Sequence, residues 1–410
     1  MIEESIDQEF ASFATSGYRG SLPEPYGPIG IVAHDANREF VDKVNHILFD
    51  KRSKRRRENT SPYVNNPGYL RRDYMIDSKI SRFATGEGKA AFMQSVRGHD
   101  LFIITDVLAH EEPFDIFGET HFSSPDDHFR DLLRMITIAT GKARRINVVM
   151  PFLYEGRQDL RASRESLDGA YMLKQLYNLG VSNVITFDPH DERIVNAVPL
   201  MGFETPKSAY KIIDSLLSVN PTLRLDPSNT LVVSPDEMGV TRAVFYSSFL
   251  ELPLGIFYRK KDYTVVDESG ENPVREFLYL GDDYAGKNIL IIDDMINSGN
   301  TMLRTAKNLK AKNAGDIYCL APFGLFTEGI SVFDRAYAEG IIKQVHCTNL
   351  IHRPQKVLEA PWYIDVDMTP FVARLIDAIN LDESISKLIN PANRIAELLG
   401  QIRIGELFND

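Results

Sequence analysis

The sequence predicts an α/β protein of two domains, each built on a mainly parallel sheet flanked by helices. The chain has 410 residues, which exceeds one ordinary hydrophobic core and suits two domains of roughly 150 to 200 residues. Short apolar, β-branched runs alternate along it with helical patterns. Charged residues follow directly after several of these runs. Such alternation is typical of parallel strands joined by crossover helices, whose ligands bind beyond the carboxyl ends of the strands.

Composition and charge exclude several classes of function. The net charge of −11 argues against a general nucleic-acid binder, which carries a basic surface. No run approaches the roughly 18 apolar residues of a membrane span, and MIEESIDQEF lacks the basic-then-apolar order of a secretion signal. The two cysteines, Cys319 and Cys347, are expected as buried, reduced thiols. We therefore expect a cytoplasmic protein whose partners include neither nucleic acid nor a membrane.

The first quarter of the chain contains three different patterns. Residues 1–26 are polar, with Gly and Pro clustered in GSLPEPYGP, and are expected to form an irregular arm. The next segment, IGIVAHDANREFVDKVNHIL, predicts a strand followed by an amphipathic helix. The basic run KRSKRRR at 51–57 is interpreted as a solvated loop, with anion binding or a subunit contact as the alternative.

The remaining pattern gives the predicted elements and domain limits. Further strands are expected in 99–107, 145–152, 182–190, 229–237, 252–260, 288–295 and 316–324. Helices are expected in 126–140 and 166–180, between the strands of the first half. The first domain is predicted at 27–208, completed by final helices at 384–403, and the second domain at 209–383.

Five of the expected strand ends carry charged or hydrogen-bonding side chains. They are, in chain order, the segments Arg157-Gln158-Asp159, Asp188-Pro189-His190, Ser234-Pro235-Asp236-Glu237, Arg259-Lys260-Lys261 and Asp293-Asp294. Carboxylates with a histidine suit Mg²⁺, whereas arginines and lysines suit phosphate groups. The combination predicts a site for a phosphorylated ligand and a divalent cation.

The segment ILIIDDMINSGNT at 289–301 is the most informative of these ends. Residues 297–301 should form a tight turn that opens a helix, whose first N–H groups attract an anion. Gly299 permits close approach of the backbone, and Ser298 and Thr301 add hydroxyl groups. The paired carboxylates suit sugar hydroxyls or a metal. A phosphorylated ribose would therefore match both the carboxylates, through its hydroxyls, and the helix N-terminus, through its phosphate. The alternative is an acidic strand end with an ordinary helix cap.

These residues resemble the ribose-phosphate loop of type I phosphoribosyltransferases, and four other segments narrow the resemblance. They are RFATGEGKAAFMQSVRGHDLFII at 82–104, Arg-Gln-Asp at 157–159, FDPH at 187–190 and SPDEMGVTRA at 234–243. Their order is similar to that of ribose-phosphate diphosphokinases, the PRPP synthetases, from about residue 27 to about residue 390. The chain is thus identified as a member of that family, which implies two tandem phosphoribosyltransferase-like domains.

The resemblance implies a reaction and a role for each matching residue. The family transfers the β,γ-diphosphoryl group of Mg-ATP to the anomeric hydroxyl of ribose 5-phosphate, releasing AMP. Asp293 and Asp294 would hold the ribose hydroxyls, and Asn297, Ser298, Gly299, Asn300 and Thr301 would cradle its phosphate. His190 and Asp236 would serve Mg²⁺, and His190, Arg259 and Lys261 would be catalytic. ATP would contact Phe83, Thr85, Glu87, Arg157, Gln158 and Asp159. Phe83 and Glu87 would complete the pocket of a neighbouring subunit, which implies a homo-oligomer.

The chain departs from the family pattern at several positions, which leaves alternatives open. Asn297 stands where aspartate is usual, Arg259 where lysine is usual, and Thr85 where aspartate or asparagine is common. One alternative is diphosphoryl transfer to a different 5-phosphorylated ribose, and another is a catalytically silent homologue that regulates an active one. Individual residues also have structural alternatives. In these alternatives, His190 is a core or surface histidine that binds no ligand. Asp236 is the N-cap of the following helix, and Arg157 forms a surface salt bridge.

Overall fold

The computed structural model describes residues 24–34, 38–110, 113–161, 164–261, 264 and 274–407. It divides the chain into two compact units. The first unit runs to Pro206 and includes Thr369–Ile389, and the second contains Lys207–Met368 and the residues from Asn390 onward. The division after Pro206 lies two residues before the predicted limit. The predicted final segment, 384–403, is divided between the units, and most of the predicted arm at 1–26 lies outside the described residues.

The elements alternate as the sequence predicts. The described residues up to 206 form β1 (Ile29–Ala33), α1 (Arg38–Glu58), β2 (Ser78–Arg82), β3 (Gly88–Phe92), β4 (Asp100–Ile104), β5 (Pro113–Ile116), β6 (Glu119–Phe122), α2 (Pro125–Ala139), β7 (Arg145–Val149), α3 (Asp168–Asn178), β8 (Asn183–Ile185), a 3₁₀ helix (Glu192–Ala197) and β9 (Gly202–Glu204). The described residues after 206 form α4 (Ala209–Val219), β10 (Thr230–Ser234), α5 (Val240–Leu250), β11 (Leu254–Lys261), β12 (Val274–Gly281), β13 (Asn288–Ile292), β14 (Met295–Ile296), α6 (Asn300–Lys310), β15 (Ile317–Leu320), β16 (Phe323–Gly324), α7 (Ser331–Ala338), β17 (Gln344–Thr348), α8 (Gln355–Leu358), β18 (Tyr363–Val366), α9 (Thr369–Asn380), α10 (Ser386–Ile389) and α11 (Ala392–Leu407). Every predicted strand segment contains an observed strand, and both helices predicted at 126–140 and 166–180 are confirmed.

The first unit is built on a parallel sheet in the order β1-β4-β7-β8-β9. All five residues of β4 are buried because helices cover both faces of such a sheet. Leu101 and Ile103 lie on the face that packs against α2 and α3, in a core with Leu132 and Leu173. Two short antiparallel hairpins, β2–β3 and β5–β6, belong to the same unit.

The second unit is built on a sheet of seven strands in the order β12-β11-β10-β13-β15-β17-β18. Its pairs are parallel except for the edge strand β12, which runs antiparallel to β11. Side chains of β13 alternate between two cores: Ile289 and Ile291 join one, and Leu290 and Ile292 join the other. This burial on both faces explains the continuous apolar run in the sequence. The mixed α/β fold with helix-flanked, mainly parallel sheets is therefore confirmed.

Two other features of the sequence can be compared with the structure. Cys319 and Cys347 are free and buried as predicted, and burial raises the pKa of both thiols. Across the described ranges, the helices are all too short or too polar to cross a bilayer.

The interpretation of residues 51–57 as a solvated loop is wrong, because these residues continue helix α1 to Glu58. Arg52 is fully buried there. Its guanidinium donates to the Asp377 carboxylate at 2.7 Å, to the Asn380 side chain at 2.8 Å and to the Tyr69 carbonyl at 2.7 Å. Asp377 also accepts from Arg55 at 2.6 Å. Burial alone would raise the pKa of Asp377, but the two guanidinium groups outweigh it and lower the pKa to about 2.

Removal of the buried guanidinium should test how much this ion pair holds α9 against α1. We expect Arg52→Met to lower the free energy of unfolding by about 3–5 kcal/mol, because Asp377 and Asn380 then remain buried without their main partner. Urea denaturation at neutral pH measures the effect. Arg56→Met is the matched control, since Arg56 is exposed on the same helix and should change stability by less than about 0.5 kcal/mol. Equal stability of the two variants would contradict this account.

Candidate active site

The paired carboxylates of the second unit lie at the end of β13, as predicted. Asp293 and Asp294 follow Ile292 directly, and both are half-buried. The Asp293 N–H donates to the Leu320 carbonyl of the neighbouring strand at 3.1 Å. The Asp293 carboxylate accepts from the Asp294 N–H at 2.9 Å, so the backbone fixes its direction. The sheet thus places two acidic groups side by side at the end of β13.

The charges around Asp293 are unbalanced. Burial is the largest cause that raises its pKa well above the usual value, followed by the negative charges of Asp294 and Asp236. Asp294 forms a long ion pair with Arg242 of α5, whose Nη1 lies 4.0 Å from its Oδ2. Three carboxylates therefore influence one another at this strand end, and a hydroxyl donor or a cation would be favourably placed among them.

The loop at 297–301 has the geometry that the sequence predicts. Gly299 has a φ of +83° and precedes α6, which begins at Asn300. A Cβ atom at Gly299 would lie 2.3 Å from the ring of Phe333, so both the backbone conformation and the space require glycine. The Ser298 hydroxyl accepts from the Asn300 N–H at 3.3 Å. The first amides of α6, including that of the half-buried Thr301, belong to a helix N-terminus that favours an anion.

Asn297 is tied to a second loop, a connection that no pattern in the sequence indicates. Its side-chain oxygen accepts from the Thr327 hydroxyl at 3.0 Å, and its carbonyl accepts from the Thr327 N–H at 3.1 Å. Thr327 lies 30 residues further along the chain, and no local motif marks it. The two hydrogen bonds fix the start of the loop at 297–301.

The two carboxylate oxygens of Asp236 have different partners. One carboxylate oxygen accepts from the N–H groups of Met238 and Gly239, at 2.9 and 3.2 Å, as expected of a residue that shapes the start of α5. The other oxygen lies 3.1 Å from the Arg259 guanidinium. The prediction of Asp236 as a helix N-cap is wrong, because Gly239 is the N-cap of α5 and no side chain among the described residues caps it. The hydrogen bonds of Asp236 shape the turn before the helix instead, and its second oxygen contacts Arg259.

Arg259 lies within β11 and not beyond its end, because that strand continues to Lys261. Besides Asp236, its guanidinium contacts Glu237 at 3.4 Å. Burial raises the pKa of Glu237, but backbone hydrogen bonds and the charge of Arg259 outweigh it, and the net shift is downward. The side chain of Lys261 and most of the loop after it lie outside the described residues.

In the first unit, the structure joins two of the predicted residues. The His190 ring nitrogen Nδ1 lies 3.1 Å from the Asp159 carboxylate, although 31 residues separate them along the chain. The side chain of His190 is 29% exposed and that of Asp159 is 8% exposed, so the carboxylate orients a histidine that solvent can reach. Arg157 and Gln158 are exposed beside them.

The remaining ATP candidates lie in the turn between β2 and β3. The Phe83 N–H donates to the Glu87 carbonyl at 2.8 Å, and the Thr85 hydroxyl donates to the Glu87 carboxylate at 3.0 Å. Phe83 is 56% exposed. Within the described part of the chain, no hydrogen bond or ion pair joins this turn to Arg157, Gln158 or Asp159.

The carboxylate and imidazole groups in the described ranges form small donor sets. Among the described residues, no group of three or more His, Cys, Asp or Glu side chains is arranged to hold a metal ion. The donor sets are instead small: His190 with Asp159 in the first unit, and Asp236 close to Asp293 in the second. Such sets are chemically suited to Mg²⁺, which commonly takes one or two protein ligands and completes its shell with phosphate oxygens and water.

Comparison with known proteins identifies three matching domains along the chain. Residues 29–180 match the N-terminal domain of ribose phosphate pyrophosphokinase, 203–324 match the phosphoribosyl transferase domain, and 271–390 match the phosphoribosyl synthetase-associated domain. The ribose-phosphate pyrophosphokinase of Mycoplasma pneumoniae is 30% identical over 312 residues, covering 75% of this chain and 86% of that protein. The enzyme of the same name from Buchnera aphidicola is 25% identical over 316 residues, covering 76% of this chain and 90% of that protein.

A solved structure supports the fold. The phosphoribosylpyrophosphate synthetase of Mycobacterium smegmatis superposes with a TM-score of 0.65 at 21% identity, covering 86% of this chain and 98% of that one. The matched segments include Asp159, the three carboxylates Asp236, Asp293 and Asp294, and the glycine loop, whereas His190 lies between the two matched segments. The chain belongs to the ribose-phosphate pyrophosphokinase family.

Proposed function

We propose that this protein is a ribose-phosphate diphosphokinase, which transfers the β,γ-diphosphoryl group of Mg-ATP to the anomeric hydroxyl of ribose 5-phosphate. The products are PRPP and AMP. One observation carries the proposal: two half-buried carboxylates, with the pKa of Asp293 strongly raised, lie two residues before a glycine loop at a helix N-terminus. A sugar phosphate supplies hydroxyl donors to the acids and an anion to the helix, so it matches both features.

Each cluster then has a task in the proposed reaction. Asp293 and Asp294 accept hydrogen bonds from the ribose hydroxyls, while the amides of 297–301 hold the 5-phosphate. In the first unit, Arg157 and Gln158 contact ATP, and Asp159 orients His190. His190 in the first unit and Asp236 in the second would each serve magnesium sites, and the bound Mg²⁺ would neutralise phosphate charge. Phosphoryl transfer depends mainly on such positioning and neutralisation, so the chain needs no covalent intermediate.

The proposed assembly follows from the exposed turn at 83–87. Phe83 and Glu87 would enter the ATP site of a neighbouring subunit, which makes the active protein a homo-oligomer. The exposure of Phe83 supports this, because a large exposed ring at the tip of a hairpin provides apolar surface for contact with another subunit. A cytoplasmic location remains a prediction.

The proposal is tested by mixing the purified protein with Mg-ATP and ribose 5-phosphate and measuring AMP. We expect AMP to form only when the sugar phosphate is present. Asp294→Ala should lower the rate roughly 100-fold or more, because hydrogen bonds to a charged acceptor are lost, without unfolding the chain. The control is Asp316→Ala, which removes an exposed carboxylate paired with Lys343 in the same unit.

Other outcomes discriminate among the alternatives. AMP production without ribose 5-phosphate would indicate hydrolysis, and AMP production only with another 5-phosphorylated ribose would change the acceptor. Absence of AMP with every acceptor would favour a regulatory homologue. Full activity of the Asp294→Ala variant would contradict the proposal that the ribose hydroxyls bind at the end of β13.

The role of Arg259 can be tested separately, because its neighbour on the strand points to the other face. We expect Arg259→Ala to lower kcat about 10²- to 10³-fold, as when one preorganised donor to a transition state is removed. Lys260→Ala is the control, since Lys260 pairs with Glu276 at 3.2 Å on the opposite side of β11. Steady-state kinetics at saturating ATP measure the difference. An equal effect of the two substitutions would argue against a catalytic role for Arg259.

The shape of the ribose-phosphate loop gives a further prediction. Gly299→Ala adds a methyl group that would lie 2.3 Å from Phe333, at a backbone angle unfavourable for alanine. We expect stability to fall by about 2–4 kcal/mol and the KM for ribose 5-phosphate to rise.

A second glycine isolates the steric part of this effect. Gly329 has nearly the same φ, +82°, but a methyl group added there would have no atom within 4 Å, so Gly329→Ala should cost only the backbone strain. Thermal unfolding and KM measurements on both variants test the account. A KM for ribose 5-phosphate that is unchanged in Gly299→Ala would contradict it.

A further inference from the structure

The turn that carries Phe83 is joined to a second hairpin, β5–β6, which contains none of the predicted site residues. The N–H of Phe117, at the tip of β5–β6, donates to the Ala84 carbonyl at 2.8 Å. Beside this bond, a Cβ at Gly86 would lie only 3.0 Å from the Ile116 side chain, so the two tips are in close contact. The turn at 83–87 and the tip at 116–118 therefore form one continuous surface, which we call the hairpin tip surface.

The two hairpins are connected to the body of the first unit through one buried carboxylate. Asp131 of α2 accepts from Arg82, the last residue of β2, at 2.7 Å and from Arg134 at 2.6 Å. Burial alone would raise the pKa of Asp131, but hydrogen bonds from His34 and the two guanidinium groups lower it overall. The Arg82 guanidinium also lies 5.4 Å from the ring centre of Phe114 in β5. These contacts hold both hairpins on α2 and fix where their tips lie.

Phe117 occupies a position that favours other residues. Its φ is +50° and that of Gly118 is +86°, the signs that the two central residues of a type I′ hairpin turn require. Asparagine, aspartate or glycine fills the first of these positions at lower conformational cost than phenylalanine. The Phe117 side chain is nevertheless 82% exposed, so packing inside the subunit does not compensate for the strain. A ligand or a protein partner that contacts the Phe117 ring would account for this unfavourable conformation.

We propose that Phe117 is a second aromatic contact for the adenine base of ATP, beside Phe83. This inference rests on the proposed function and adds one residue to the surface that binds the adenine base. The Phe117–Ala84 hydrogen bond places the residue next to the one that follows Phe83, so the hairpin tip surface carries two exposed rings. Aromatic side chains bind nucleobases by stacking, which is strong enough to affect nucleotide affinity at each ring. The β5–β6 hairpin would thereby contribute to the choice of a purine nucleotide.

The test uses substitutions that keep the turn intact. Phe117→Asn removes the ring but suits the type I′ turn, so the melting temperature should stay the same or rise. We expect this variant to weaken ATP binding, measured by calorimetry with a non-hydrolysable ATP analogue, by about 5- to 150-fold, the range for loss of one stacked base contact. The KM for ATP should rise in parallel while the KM for ribose 5-phosphate stays unchanged. Phe117→Trp should restore the affinity.

Two further variants make the result decisive. Phe122→Asn removes another exposed ring, at the far end of β6, and should bind the analogue like the wild type. Phe83→Ala should weaken binding, as expected of the first aromatic contact. If Phe83→Ala loses affinity while Phe117→Asn binds like the wild type, the inference fails and the proposed function stands. If the wild-type protein binds no ATP analogue, the proposed function fails and the inference fails with it.

Discussion

Burial of neighbouring acidic groups beyond β13 is the constraint on which the candidate site of the second unit depends. The four residues Ile289 to Ile292 are fully buried, so the strand cannot shift to move Asp293 and Asp294 into open solvent. Burial and the neighbouring carboxylates of Asp294 and Asp236 raise the pKa of Asp293, which means that the folded protein disfavours its charge. The hydrophobic energy of two cores on either side of the sheet holds this unfavourable group in place. Groups kept in such surroundings are characteristic of binding sites, because a ligand can supply the missing partners.

The loop that follows the acids is held in place by the aromatic side chains that pack against it. Phe333, which leaves no room for a side chain at Gly299, stacks on Trp362 with ring centres 5.2 Å apart and contacts Phe326 edge-on. Trp362 in turn donates to Asp334 at 2.8 Å. An aromatic floor of this kind resists deformation, because close-packed rings have few alternative arrangements. With Asn297 also held by Thr327, the amides at the start of α6 point in a fixed direction without any ligand.

The sequence predicts these central strands and the loop well because their signals are local. Four apolar residues, two acids and a glycine within thirteen positions specify strand, strand end and turn without help from the rest of the chain. The basic run at 51–57 could not be placed in the same way. Its local charge favours a solvated loop, whereas the partner that pairs with the buried Arg52, Asp377, lies 325 residues away along the chain. The link between Asn297 and Thr327 and the contact between the two hairpins are also formed only by the tertiary fold.

Arg52 and Phe117 both occupy positions that their local preferences oppose, and the comparison separates two causes. An arginine is costly to bury, but Arg52 finds a carboxylate, an amide and a carbonyl within 2.8 Å, so the fold itself explains its position. Phe117 is strained in the backbone and yet almost fully exposed, so the subunit provides no comparable compensation. Where the interior of a protein accounts for an unfavourable residue, the residue is structural. Where the interior does not, the compensating contact is to be sought with a ligand or with another molecule, and the hairpin tip surface is the place in the first unit to seek it.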